Sequence, residues 1–94
     1  MEIEFAIHYH PKVVREDIPA LSLVWSKRIR AAIEEKLMYA PEKFGKPLRE
    51  SLRGYRKLRV GEYRIVFRIE HREVFVLAIL HRSVVYKSVN ARIE

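Results

Sequence analysis

The run GYRKLRVGEYRIVFRI, residues 54–69, limits the fold of this chain more than any other stretch. Apolar side chains fall at alternate positions on both sides of Gly61-Glu62, the pattern of two antiparallel strands joined by a tight turn. Gly61 suits the first central turn position because it adopts positive φ at no steric cost. With Gly61 and Glu62 as turn residues, Val60 faces Tyr63, Arg59 faces Arg64, Leu58 faces Ile65 and Lys57 faces Val66. Alternation then places Leu58, Val60, Tyr63 and Ile65 on one face, and Lys57, Arg59, Arg64 and Arg68 on the other. Arg59 lies directly opposite Arg64, a like-charge pairing that costs a few tenths to about 1 kcal/mol. An ordinary solvated face absorbs such a pair by splaying its side chains. A face that gathers cations repeatedly reads instead as a surface for phosphates.

The rest of the chain supplies the frame. EVFVLAIL, residues 73–80, is apolar at both parities and predicts a strand covered on both faces. EHRE forms the turn before it. Near the start, EIEFAIHY alternates Ile3, Phe5 and Ile7 against Glu2, Glu4 and His8, which predicts a first strand. HPKVVREDI predicts a short helix with Pro11 in its first turn and Pro19 beyond its end. From Ser22 to Tyr39 the stripe Leu21, Val24, Trp25, Ile29, Ala32, Ile33 and Leu37 predicts a longer helix, with Ser22 as N-cap and Pro41 as its stop. Residues 40–53 read as a connection with one helical turn near Leu48–Leu52. The tail VVYKSVNARIE reads as a short strand or a last helical turn. The expected fold is a single α+β domain over residues 1–94, in the order β-α-α-β-β-β. Its antiparallel sheet carries two helices packed on one face, and the first strand pairs with the C-terminal part of the sheet.

Charge sharpens the question of partners. The formal net charge is +7. Residues 43–68 hold nine Lys/Arg and two Glu, while the remainder holds ten of each sign. Concentrated charge of one sign favours a polyanionic partner: nucleic acid, an acidic protein segment or, less so, an anionic membrane. The absence of cysteine excludes disulfides and thiolate metal sites and agrees with a cytoplasmic location. No run approaches the ~20 apolar residues that span a bilayer, and the N-terminus carries acids where a signal peptide carries bases. No membrane partner or targeting segment is therefore expected. His8 and His10 stand two apart without a placed carboxylate and read as structural, so no metal or cofactor is expected.

LHRSVVYK, residues 80–87, puts His81 and Arg82 at the end of the two-faced strand, beside the strand of Arg64, with Tyr86 four residues on from Arg82. Histidine exchanges protons near neutrality, arginine clamps phosphate through two bonds, and tyrosine stacks on a base or donates a hydrogen bond. The basic face has no paired carboxylates, and the chain has neither a Ser/His/Asp spacing nor a glycine-rich phosphate loop. Cations with one His and one Tyr suit metal-free cleavage of RNA, in which the 2′-oxygen attacks the adjacent phosphorus and the 5′-oxygen leaves protonated. DNA lacks the attacking group.

The run LRGYRKLRVGEYRIVFRI, the apolar strand after it and LHRSVVYK together resemble the RelE/ParE superfamily of toxins from type II toxin–antitoxin systems. The likeness extends over most of the chain and is most specific in the G-x-Y-R hairpin and the H-R-x-x-V-Y ending. It implies a RelE-like toxin that cuts mRNA in the ribosomal A site and is held by a cognate antitoxin, in a toxin–antitoxin hetero-oligomer. Carried over by position, the implied catalytic set is Lys57, Arg59, Arg64, His81, Arg82 and Tyr86. Arg64 and Arg82 take the phosphate and Tyr86 the nucleotide, while the general base lies open between His81 and Lys57. Lys46, Arg53, Arg56, Arg68 and Lys87 are the expected RNA-binding cations around them. Trp25 and Tyr39 are candidates for the antitoxin contact, although Trp25 also reads as core. Two other readings stay open: a ParE-like toxin that binds gyrase without cutting, and an inactive RNA-binding co-repressor. Retention of Arg64, Arg82 and Tyr86 together favours the ribonuclease.

Overall fold

A computed structural model describes residues 4–93. Alternation in the hairpin gives β3 (Arg56–Val60) and β4 (Tyr63–Glu70), and the two-faced apolar run gives β5 (Glu73–His81). The hairpin register is the expected one: Val60 pairs with Tyr63, Arg59 with Arg64, Leu58 with Ile65 and Lys57 with Val66. Gly61 sits at φ 59°, as the tight turn requires, and His71 takes φ 57° in the second turn. The first strand, β1, runs Ala6–Tyr9, so Glu4 and Phe5 precede it; Glu2 and Ile3 lie outside the described residues.

The sheet order is β1-β5-β4-β3-β2, where β2 is the two-residue edge Lys46–Pro47. β1 pairs with β5 as expected, but in parallel; the other pairings are antiparallel. A parallel pairing follows from the intervening helices, which carry the chain back across the sheet before the meander begins.

Those helices are a π-helical segment, Val13–Asp17, and α1, Leu23–Ala32, which continues as a π-helical turn over Ile33–Leu37. The Ser22 hydroxyl caps α1 by accepting from Trp25 N at 3.3 Å. Val13, Ile29, Ile33 and Leu37 bury against Leu58, Ile65, Phe67, Val74, Val76 and Ile79. Val24 departs from the expected stripe: it is 66% exposed beside Leu23 at 71%, because the stripe's sheet-facing line runs through Ile29 and Ile33. Phe67 is fully buried, and closing over it requires Gly45, where a side-chain carbon would collide with its ring. Burying one such side chain stabilises a domain by about 1.5–3 kcal/mol.

The connection holds more structure than its composition suggests. Pro41 does not only stop α1: it opens a single-turn helix, α2 (Pro41–Phe44), ahead of β2. The helical turn expected near Leu48–Leu52 is a 3₁₀ turn over Glu50–Leu52. After Val84, which lies in the turn, the described part of the tail is helical, forming α3 (Val85–Ile93). α3 packs on the sheet face opposite the other helices, where Val85 and Val89 meet Leu52, Val66, Leu77 and Ala78. The helices therefore cover both faces rather than one. A bulge assists this: Val66 pairs with Ala78 and Phe67 with Val76, so Leu77 is the extra residue of β5. Consecutive side chains Leu77 and Ala78 both reach α3 as a result.

Candidate active site

α3 leaves one end of its sheet face open, and the cations gather there. Lys57 from β3, Arg64 from β4, His81 from β5, Arg82 and Ser83 from the turn after it, and Tyr86 from α3 line one hollow of about 380 Å³. Five of the six residues expected to be catalytic thus share a site.

Arg64 is only 8% exposed, and its Nη1 donates at 2.9 Å to the carbonyl oxygens of both Gly61 and Tyr63. The guanidinium is folded back over its own turn, while Arg59 opposite is exposed. Arg64 thus becomes a clasp on the hairpin, a role that alternation alone does not reveal. Gly61 is gripped from the other side by the Trp25 ring, which would overlap any Cβ at that position. Trp25 in turn packs on Tyr63 at 4.9 Å between centroids and carries Arg28 at 4.5 Å above its ring. Trp25 is therefore a brace for the turn, half-buried between α1 and the hairpin.

Lys57 Nζ donates to Tyr86 Oη at 3.0 Å, joining β3 to α3 across the hollow. Arg82 is exposed; its Nε donates to Glu62 Oε1 at 3.0 Å, and its backbone N–H donates to Glu62 O at 2.8 Å. Glu62 Oε1 also lies 4.0 Å from His81 Nε2. Sequence reading counted Glu62 only as a turn residue and missed this carboxylate at the rim. The signal was present, because a Tyr63–His81 pairing carries Glu62 to Arg82 in the next step of the ladder. His81 Nδ1 faces Ser83, 3.1 Å from its N–H and 2.8 Å from its hydroxyl, and the ring stands edge-on to Tyr63 at 5.7 Å.

The remaining predicted residues divide. Arg59 shares the face but does not line the hollow. Lys46 pairs with Lys57 across β2 and β3, extending the basic face, and Lys87 is exposed beside Tyr86. Arg53 is exposed just after the 3₁₀ turn. Arg56 belongs elsewhere: it shares the parity of Leu58, so it turns to the opposite face, where Nη1 donates to Gly45 O at 3.1 Å and clasps the end of α2. Arg68 sits at the far end of the face, paired with Glu70 and stacked 4.2 Å over Phe75. His8 pairs with Glu73 at 2.7 Å, and His10 Nδ1 accepts from Lys12 N. The two histidines are thus engaged separately.

A family model described as the ParE toxin of the type II toxin–antitoxin system parDE matches residues 12–86. The chain belongs to the RelE/ParE superfamily of type II toxins. Toxin RelG of Mycobacterium tuberculosis is 41% identical to this toxin over 66 residues, covering 64% of the chain and 76% of RelG. Toxin RelE of the same organism is 40% identical over 53 residues, which is 54% of the chain and 55% of that RelE. The toxin–antitoxin complex RelBE2 of M. tuberculosis contains a chain that superimposes with a TM-score of 0.78 at 28% identity, covering 86% of this toxin and 94% of that chain. The RelB–RelE complex of Methanococcus jannaschii matches in fold, with a TM-score of 0.66 at 24% identity over 84% of this toxin and 94% of that chain. The α+β fold of the toxin is that of these relatives, with a mostly antiparallel five-stranded sheet. No helix among the described residues is long and apolar enough to cross a membrane.

Proposed function

We propose that this toxin is a ribosome-dependent endoribonuclease that cuts mRNA and so stops translation. The observation that carries the reading is the convergence of Lys57, Arg64, His81, Arg82 and Tyr86 on one open hollow. A phosphodiester seated there meets Arg64 and Arg82, which stabilise the charge that develops on the phosphoryl oxygens. Tyr86 presents its ring to a base, and its hydroxyl orients Lys57. The 2′-hydroxyl loses its proton to a base in the hollow, its oxygen attacks phosphorus, and the 5′-oxygen departs with a proton. The products are a 2′,3′-cyclic phosphate and a 5′-hydroxyl. Lys46, Arg59 and Lys87 extend the cationic surface for flanking phosphates. The site acts through these side chains, without a metal or cofactor in the step.

The ribosome supplies the order that the hollow lacks. The site is open to solvent, and its acid and base groups are not aligned by substrate, so mRNA held in the A site is the competent substrate. Its place of action is then the cytoplasm. A cognate antitoxin is the second partner. Several of the similar structures are toxin–antitoxin complexes, and exposed Leu23 and Val24 offer apolar contact beside a strongly basic domain.

The test is cleavage of an mRNA on stalled ribosomes, with and without a single 2′-deoxynucleotide at the cut. The reading expects cyclic phosphate ends with the ribonucleotide and no cut with the deoxynucleotide. A gyrase-binding toxin is the second reading, favoured by the ParE family match; it expects intact mRNA and gyrase-dependent DNA breaks.

A further inference from the structure

We infer that Ser83 is a positioning residue that fixes His81 as a hydrogen-bond donor at Nε2, so that His81 serves the oxygen gaining negative charge and does not accept the 2′-hydroxyl proton. The inference rests on the ribonuclease reading for its catalytic part, while its structural part stands alone.

One group beside His81 has a polarity that cannot change. The backbone N–H of Ser83 is a donor and nothing else, and it points at His81 Nδ1 from 3.1 Å. Nδ1 must therefore present its lone pair, and the Ser83 hydroxyl at 2.8 Å donates to the same nitrogen. A neutral imidazole carries one ring proton, so that proton is on Nε2. Should the ring become cationic, both nitrogens carry protons. Nε2 is an N–H in either state, and the nitrogen able to accept a proton is the one covered by Ser83.

The surroundings agree with a donor at Nε2. The Glu62 carboxylate places Oε1 4.0 Å from it, and that carboxylate also holds Arg82 Nε at 3.0 Å. The same contact leaves the two Nη groups of Arg82 as the fork for an anion. Edge-on packing against Tyr63 holds the imidazole plane, and Trp25 supports Tyr63 from behind. A flip of the ring, which keeps its plane against Tyr63, would break both Ser83 contacts at Nδ1. With Nδ1 covered, the 2′-hydroxyl proton passes to another group of the hollow or its rim, where Lys57 Nζ donates to Tyr86 Oη at 3.0 Å and Glu62 presents a carboxylate.

Two readouts decide the matter. Long-range nitrogen–proton NMR of the neutral ring in the intact toxin reports the tautomer directly, whether or not the protein cleaves RNA. A proton on Nε2 is expected in the wild type and in Ser83→Ala, which keeps the backbone N–H; in Ser83→Pro, which lacks it, the tautomers mix. A wild-type ring protonated at Nδ1 overturns the inference. The second readout needs only the folded histidine variants on ribosome-bound mRNA. His81→Gln retains a side-chain N–H donor and is expected to cut within about 10-fold of wild type, whereas His81→Ala loses roughly 100-fold or more. Equal loss in both variants overturns the donor role. A wild type that leaves mRNA intact defeats the ribonuclease reading, and the tautomer measurement still decides the positioning claim.

Discussion

Arg92 grips both carboxylate oxygens of Asp17, at 2.6 and 2.8 Å, tying the end of α3 to the first helical segment across 75 residues of sequence. The pair occupies the edge of β5 beyond the end of β1. There Asp17 Oδ2 accepts from Ile79 N at 2.9 Å, and Arg92 Nη1 donates to Leu77 O at 3.0 Å. Two side chains thus satisfy backbone groups that a longer β1 would otherwise meet. Their side chains are only 1% and 6% exposed, and the contact with Asp17 raises the pKa of Arg92 further above its ordinary value.

Breaking that pair strands a buried charge. Arg92→Ala is expected to destabilise the fold by roughly 3–5 kcal/mol, because Asp17 keeps its carboxylate without a counter-charge. Urea unfolding of the variant measures it. A loss below about 1 kcal/mol would mean that water reaches Asp17 freely.

The hairpin turn is the second sensitive point. Gly61→Ala combines positive φ with a collision against the Trp25 ring, and should cost about 1–3 kcal/mol with a shift in Trp25 fluorescence. Thermal melts with fluorescence detection check both. Unchanged fluorescence would show that Trp25 does not brace the turn.

These two sites mark where sequence reading reached and where it stopped. The hairpin register was legible because a glycine at the turn fixes every later pairing, and the two-faced composition of β5 announced cover on both sides. The helical state of 85–93 was not legible: Val85 and Val89 are spaced for a helix, yet so short an apolar pattern also fits a strand. α2 was hidden because Pro41 marks a helix start as readily as a stop. Arg56 was grouped with the RNA-binding cations by charge, although its shared parity with Leu58 already assigned it to the other face. The hollow itself was foreseen through His81, Arg82 and Tyr86. Glu62 and Ser83 were missed because their importance comes from which atoms they face, and no residue pattern encodes that.

Alkaline pH offers an independent check of packing near β1. Burial raises the pKa of Tyr9, and the neighbouring Glu34 raises it further against a smaller opposing effect of Arg30. The folded pKa lies above the unfolded one, so the unfolded chain releases this proton first as pH rises. Stability associated with Tyr9 is complete below pH of about 10, falls as pH climbs through the raised folded value and then levels off. Denaturant titrations across that range should show the wild type losing stability relative to Tyr9→Phe, which carries no such proton. Parallel curves would contradict the assignment.

The two site arginines should fail differently. Arg82→Ala removes an exposed side chain and is expected to lower mRNA cleavage by about 10²–10³-fold with little change in melting temperature. Arg64→Ala should lose cleavage as strongly and also lower the melting temperature, because its guanidinium holds the Gly61 and Tyr63 carbonyls. Melting curves set beside cleavage rates separate the two roles. Equal stability losses in both variants would show that Arg64 does not clasp the turn.

The most direct measurement is primer-extension mapping on translated mRNA, comparing wild type with Arg82→Ala and Tyr86→Phe. The wild type should cut at codons positioned in the A site. Tyr86→Phe should cut at the same positions but more slowly, since it keeps the stacking ring and loses the bond to Lys57; Arg82→Ala should leave the message nearly whole. Uncut mRNA with the wild type, accompanied by gyrase-dependent DNA breaks, would contradict the assignment of the hollow to RNA cleavage.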